Sequence, residues 1–477
     1  ATGSGTLTKS GSGTLTLSGA NTYTGASTIS DGVLIATNAT SLGTTDGATT
    51  IANGAELKIS GGINIGEAIT VNGEGESSTG AIRSTSGNNT LSGLITLGST
   101  TAIQSDDDTL TLNVSTGNAI TGSQTLKIRG QGNITISDPV AIGSATLYKY
   151  NTGTLTLTGT NTQSRSYISG GVLSVNQDRA LGAVPGSTDS NNITINGGTL
   201  KTTASFTINT KRGIQLDASN STINVDASTT LTYAGIIDHQ GSETNNGYTK
   251  SGGGTFALSG DSTYSGVTTI SAGVITIAHA GSLGSTSGAT SITSGAALSI
   301  SGGITVAEPI TVNGTGVSSG GAIVFTANDN TYSGAITLGS TSTIVSTGGA
   351  QTISGAVNGG YGLTITANGN LIVSGAVGGS TDLSSYAVTT TGSASQTFSA
   401  NVETTGNQTY TAAGGIVTSG ARTFDSSSGT VNFASALSGN NNVTVTGNAD
   451  IDGAITDIAV LSISGTSNVG ADITTSG

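Results

Sequence analysis

Residues 9–43 read KSGSGTLTLSGANTYTGASTISDGVLIATNATSLG, and this stretch returns twice with its punctuation intact. Shifted by 140 residues, with one deletion, it falls on Lys149–Gly182, KYNTGTLTLTGTNTQSRSYISGGVLSVNQDRALG. Shifted by 241 it falls without a gap on Lys250–Gly284, and the gapless match extends from Thr8–Ser105 onto Thr249–Ser346, placing Glu67 on Glu308 and Asn72 on Asn313. Repetition on this scale points to stacked supersecondary units rather than to one closed globule.

Within the stretch the apolar residues alternate. Leu15 and Leu17 face one side and Thr14 and Thr16 the other, the period-2 signature of a half-buried strand. Gly19 and Asn21, then Asp31 and Gly32, turn the chain, being residue types that turns favour. Further strands run through Thr28-Ile29-Ser30 and Val33-Leu34-Ile35. Strands this short need support from above and below. A β-sandwich needs Greek-key crossings and a core for each domain, whereas a solenoid only repeats its corner chemistry. The expected fold is therefore all-β, a parallel β-helix (β-solenoid). With roughly 20 to 24 residues per coil it makes about 20 coils, a rod on the order of 100 Å long.

The pattern K-x-x-x-G-T-L-T-L-S-G-x-N-T-Y-[TS]-G-x-T-x-I-x-x-G-V-L resembles the autotransporter-associated β-strand repeat of passenger regions in very large bacterial surface proteins. The run GLTITANGNLIVSGAV and the residues following it, between Gly359 and Tyr410, resemble filamentous-haemagglutinin-type secreted repeats more loosely. Both resemblances imply a right-handed parallel β-helix exported across an outer membrane, and neither implies a single biochemical activity.

Composition narrows the classes further. Charged residues are 8 % of 477, against about 25 % in ordinary domains, and Gly is 76. Only 3 Pro and no Gly-X-Y period exclude collagen, while 34 % apolar residues in alternating runs argue against disorder. A net charge of −13 with 13 scattered Lys and Arg excludes a nucleic-acid partner. Cys is absent, so no disulfide or thiolate metal site holds the fold. No apolar run reaches the 18 or so residues of a membrane helix. Starting at Ala1 without a signal sequence, the chain reads as a processed product or an excised segment.

No linker or composition break is visible, so residues 1–477 are expected to form one continuous solenoid, with motif copies at 9–43, 149–182 and 250–284. A loop is expected to leave it within 201–248, where Lys201, Lys211, Arg212, Asp217, Asp226, Asp238, His239 and Glu243 gather. Tyr148-Lys149-Tyr150 suggests a carbohydrate platform with a base, yet Lys149 falls on Lys9 and Lys250, which marks a structural or solvated position. Asp106-Asp107-Asp108 reads as a solvated loop before a calcium site. Asn448-Ala-Asp450-Ile-Asp452-Gly453 imitates half an EF-hand loop, with Ala459 where position 12 needs Glu. His239 and His279 lack partners in sequence, and the sequons at Asn38, Asn113 and Asn133 are what this composition yields by chance.

Thr14/Thr16, Thr22/Thr24 and Thr154/Thr156 raise the alternative of an ice-binding face, but Thr16 becomes Ala257 and Thr24 becomes Ser265 in the third copy. The expected role is an extracellular or cell-surface structural and adhesive rod, not an enzyme, with no catalytic residues, metal or cofactor. The alternatives are a carbohydrate-active β-helix enzyme and an ice-binding solenoid. Expected partners are copies of itself or flanking repeats packed end to end into a fibre, and host or matrix surfaces. No cap is visible at either end, and Gly477 stops in mid-pattern.

Overall fold

The computed structural model describes residues 1–239, 241 and 245–475. Two compact units divide the chain, Ala1–Asn246 and Gly247–Gly477. Each is a β-solenoid of short parallel strands. The expected fold class is therefore what the chain adopts, and no α-helix occurs among the described residues. Successive coils are separated by 17 residues (Ile458 on Thr475) to 28 (Gly73 on Thr101).

In the first unit one ladder begins Leu7–Lys9, Ser27–Ile29, Thr49–Ile51, Ile69–Gly73. A second begins Thr14–Leu17, Val33–Ala36, Glu56–Ser60, Ile82–Ser86. A third runs Asn89–Leu91, Thr109–Leu112, Asn133–Ile136, Thr154–Leu157, Val172–Val175. Side-chain parity decides what each residue does. Leu34, Leu57, Ile82, Ile103 and Ile128 stack in register through five coils, all buried. Each such side chain contributes about 1.5–3 kcal/mol relative to exposure, and its neighbours above and below supply the contacts that a lone strand lacks.

The second unit repeats the plan, with Ile275, Leu298, Ile323, Ile344, Ile365 and Val388 forming one column. That column continues into Tyr410 and Phe433, where aromatic rings replace aliphatics. Phe398, Tyr410, Phe424 and Phe433 pack with ring centroids 5.1 to 5.8 Å apart, mostly edge to face, an arrangement favoured beyond simple area burial.

The charged stretch within 201–248 is mostly wound into coils. Thr199–Thr202, Phe206–Ile208, Arg212–Leu216, Ser221–Val225, Thr230–Tyr233 and Ile237–His239 are strands. Glu243 lies outside the described residues, as does Gly477.

One corner recurs in all three motif copies. Gly32, Gly171 and Gly273 each carry a positive φ of 57° to 66°. A Cβ at Gly273 stands 2.4 Å from the Gly254 carbonyl oxygen, and one at Gly171 stands 2.4 Å from that of Gly153. Both the torsion and the close approach demand glycine. Gly273→Ala is therefore expected to destabilise its unit by about 1–3 kcal/mol, read as a lower urea midpoint in the full chain. Gly19→Ala, where a Cβ meets open space, is expected to leave the midpoint in place.

Candidate functional site

The repeated lysine is the first candidate, and it points inward. Lys149 ends strand Thr146–Lys149 and is 1 % exposed. Its Nζ donates to the carbonyls of Tyr150 (2.6 Å), Asn151 (3.1 Å) and, one coil on, Gly170 (3.4 Å). Lys250 does the same with Gly252 (2.8 Å) and Ala272 (2.9 Å), and Lys9 with Gly11 (2.6 Å) and Asp31 (2.9 Å). The ammonium thus ties the corners of two stacked coils together through carbonyl dipoles. Burial pushes Lys149 and Lys250 down to about 8. Lys149 is a structural residue, as its place in every copy suggested.

Other motif residues close the coil in the same manner. The buried Tyr23 and Tyr264 hydroxyls pair with Ser27 Oγ and Thr268 Oγ1, each at 2.7 Å. Asn21 and Asn161 donate to the carbonyls of Ser41 and Ala180 in the turn that ends the motif.

Two features were not legible beforehand. Glu67 and Glu308, matched by the long repeat, are buried, and each carries one oxygen without a hydrogen-bond partner. Thr49 and Thr290 donate to the other oxygen at 2.7 and 2.9 Å. With no cation beside them, burial raises Glu67 to about 7 and Glu308 to about 8. Arg212, placed by sequence in the expected loop, is fully buried. Its Nε donates to Asp178 Oδ1 (2.9 Å), Nη1 to Asn192 Oδ1 (2.8 Å) and Nη2 to the Gly182 carbonyl (2.7 Å), pinning the 3₁₀ turn Asp178–Leu181.

The acidic runs are occupied by their neighbours. Asp106 accepts from Arg83 Nε (2.7 Å) and Gln104 Nε2 (2.6 Å), and Asp108 from the Gly87 amide (2.8 Å). Asp450 is bracketed by Asn432 (3.0 Å) and Asn468 (2.9 Å) from adjacent coils. His279, which replaces Asn38, inherits its turn: Nδ1 accepts from the Gly281 amide, as Asn38 Oδ1 does from Thr40. His239 Nδ1 lies 3.6 Å from Asp238. Among the described residues no three His, Cys, Asp or Glu side chains converge on a metal-sized site.

The Thr-x-Thr pairs do not persist between coils, since Thr14 and Thr16 stand on Val33 and Ile35. Single files do persist: Thr8, Thr28, Thr50, Thr70, Thr96 and Thr121 stack in register, as do Thr90, Thr111, Thr135 and Thr156.

The outer face of the first unit is where chemistry gathers. Lys127, Tyr148, Tyr167, Thr194 and Gln215 form one outward column on consecutive coils. Tyr148 stacks on Tyr150 at 5.7 Å and 5°, and meets Tyr167 at 5.2 Å and 43°. Arg129 lies over the Tyr150 ring, 5.8 Å from its centroid, and Glu74 bridges Lys127 and Arg129. The Tyr148-Lys149-Tyr150 triplet therefore divides by parity: the rings face outward and the base faces inward.

The passenger-associated-transport-repeat model matches residues 7–36, 147–175 and 249–277. The chain carries autotransporter passenger repeats. These repeats coincide with the lysine corners, while Gly359–Tyr410 lies outside the matched residues. A similar protein is the Adhesin BmaC autotransporter of Brucella suis biovar 1 (strain 1330), 35 % identical over 159 residues, covering 33 % of this chain and 4 % of the relative. The chain thus spans a small part of that relative's length. No solved structure matches significantly. Passenger repeats belong to exported proteins, so the chain is extracellular or held at the cell surface.

Two outcomes follow from the buried charges. The folded second unit holds the Glu308 proton up to about pH 8, while an unfolded chain releases it near 4.5. The associated stability is complete below pH 4.5 and is lost as pH rises through 8. Lys250 acts oppositely, its penalty being relieved between about 8 and 10.5. Melting of the full chain is expected to show the second unit least stable near pH 8, and Glu308→Gln to flatten the acid-side slope. Arg212→Met is expected to cost the first unit about 3 kcal/mol, measured by urea unfolding.

Proposed function

We propose that the chain is a structural and adhesive segment of a large secreted bacterial surface protein, without catalytic activity of its own. The observation that carries this reading is the presence of passenger repeats in coils whose inward residues are committed to packing. Their outward residues remain free to meet a surface. The similar protein is an adhesin, which favours contact with host or matrix surfaces. The base singled out in the sequence, Lys149, is turned away from the outer face. Glu74 and Asp106 of the first unit are taken up by Lys and Arg neighbours, which supports binding rather than acid–base chemistry. The single winding expected over residues 1–477 belongs to this proposal, and small-angle scattering of the full chain tests it.

End-to-end packing is the finer part of the reading. Ile463, Val469 and Ile473 stand on the buried Val445, Ile451 and Ile455, so the inward columns continue into the last described coil. There Val469 and Ile473 are 40 % and 47 % exposed. A further coil of the same kind, from flanking repeats or another copy, matches both the apolar columns and the open ladder edge. Sedimentation of the chain is expected to show association that grows with concentration and is abolished by Val469→Lys with Ile473→Lys. A monomer at every concentration removes the stacking but leaves the adhesive role, which binding to matrix-coated surfaces decides separately.

A further inference from the structure

The aromatic inventory is lopsided. Of 11 tyrosines, seven are buried in the two cores. Three of the remaining four, Tyr148, Tyr150 and Tyr167, stand together on adjacent coils, on an outer surface whose other side chains are polar or charged. Neither winding nor the core needs them there, because outward positions elsewhere are filled by threonine.

A cleft of 180 Å³ opens beside them, lined by Tyr148, Tyr167, Arg165, Thr194, Gln215 and Asp217 among others. The Tyr167 hydroxyl is held from both sides: it accepts from Asn196 Nδ2 (2.8 Å) and donates to Asp217 Oδ2 (3.3 Å). Asp217 Oδ1 is shielded from solvent and has no hydrogen-bond partner. An unpaired carboxylate oxygen at that depth is costly unless a donor reaches it. Arg165 at the rim is engaged with Asp189 (3.3 Å), and Lys127 and Arg129 are engaged with Glu74, so the surface offers no free cation among these three.

We propose that this face of the first unit is a binding site for a neutral, pyranose-based glycan, lying on the Tyr148 and Tyr167 rings with its hydroxyls directed at the polar lining of the cleft, Gln215 and Asp217 among it. The C–H face of a pyranose is apolar and suits an aromatic ring, while its hydroxyls can pair with the polar side chains that line the cleft. Lys127, Arg129 and Arg165 are matched in number by Glu74, Asp189 and Asp217, so the face has no excess of cations to favour an acidic polysaccharide. Coil spacing of ~4.8 Å is comparable to the length of one sugar in an extended chain, so successive residues of the glycan can step along successive coils. The inference rests on the adhesive reading and supplies its ligand class.

The test uses the full chain with a panel of neutral hexasaccharides (β-1,4-glucan, α-1,4-glucan and mannan) and polygalacturonate as the acidic counterpart. Binding is followed by calorimetry and by tyrosine fluorescence, which has no tryptophan to mask it. At least one neutral oligosaccharide is expected to bind. Tyr148→Ala with Tyr167→Ala, and separately Asp217→Asn, are expected to weaken it at least tenfold, with far-UV circular dichroism unchanged. Tyr361→Ala, at the fourth unburied tyrosine in the other unit, is expected to have no effect. Binding of none of the neutral sugars, preference for polygalacturonate, or full binding by the folded variants overturns the site. Adhesion of the wild-type chain to protein-coated surfaces reports on the adhesive reading independently, since it can persist when every sugar fails.

Discussion

Parallel, in-register stacking is the constraint on which the rest of the molecule depends. Once each coil hydrogen-bonds to the next with its residues aligned, inward apolar side chains stand in columns, as Leu34, Leu57 and Ile82 do. Every corner must then be closed as its neighbour was. Closing a corner brings main-chain carbonyls of two coils together with few donors nearby, and the repeated lysine resolves that crowding. It is a buried cation answered by dipoles rather than by a carboxylate, placed where an apolar side chain would leave oxygens unpaired. The glycine across the corner is the steric half of the same solution, since any Cβ there would strike the carbonyl below.

Much of this was legible because a solenoid writes its rules once per coil. Alternation of Leu15 and Leu17 with Thr14 and Thr16 gives strand and facing, and the repeat of Lys9 at Lys149 and Lys250 is enough to separate a structural lysine from a catalytic one. Arg212's depth in the charged stretch after Leu200 was not legible for a physical reason. Charge density signals exposure on average, but a guanidinium with five donors can be wholly buried when a turn presents carbonyls and a carboxylate around it, as Asp178–Gly182 does for Arg212. The depth of Glu67 and Glu308 was hidden likewise. The long repeat aligned them, yet only the stacked coils show that no cation reaches either one. Gathering of Phe398, Tyr410, Phe424 and Phe433 into one cluster depends on coil lengths near the end of the chain, which the motif no longer marks there.

What the sequence treated as one triplet, Tyr148-Lys149-Tyr150, separates in three dimensions into two independent devices. Parity sends the lysine to the corner and the rings to the surface. The lysine's role can be inferred from its recurrence, whereas the rings belong to a single copy: the positions of Tyr148 and Tyr150 are held by Thr8 and Ser10 in the first motif and by Thr249 and Ser251 in the third. Repetition therefore identifies what the winding requires, and departure from repetition identifies what it does not.

This division has a consequence for how such a fold acquires function. A globular domain that places an aromatic cluster on its surface usually draws those residues from loops whose conformation they also help to set. Here the strand Thr146–Lys149 is held by its ladder, its inward Leu147 and its corner lysine, so Tyr148 can be exchanged for threonine without altering the coil beneath it. Recognition chemistry is then free to vary from coil to coil at little cost in stability, provided it stays on outward positions and its polar groups find partners. Asp217, with one oxygen satisfied by Tyr167 and the other unpaired, is one place where the first unit departs from that economy, and it lies beside the rings that the winding does not require.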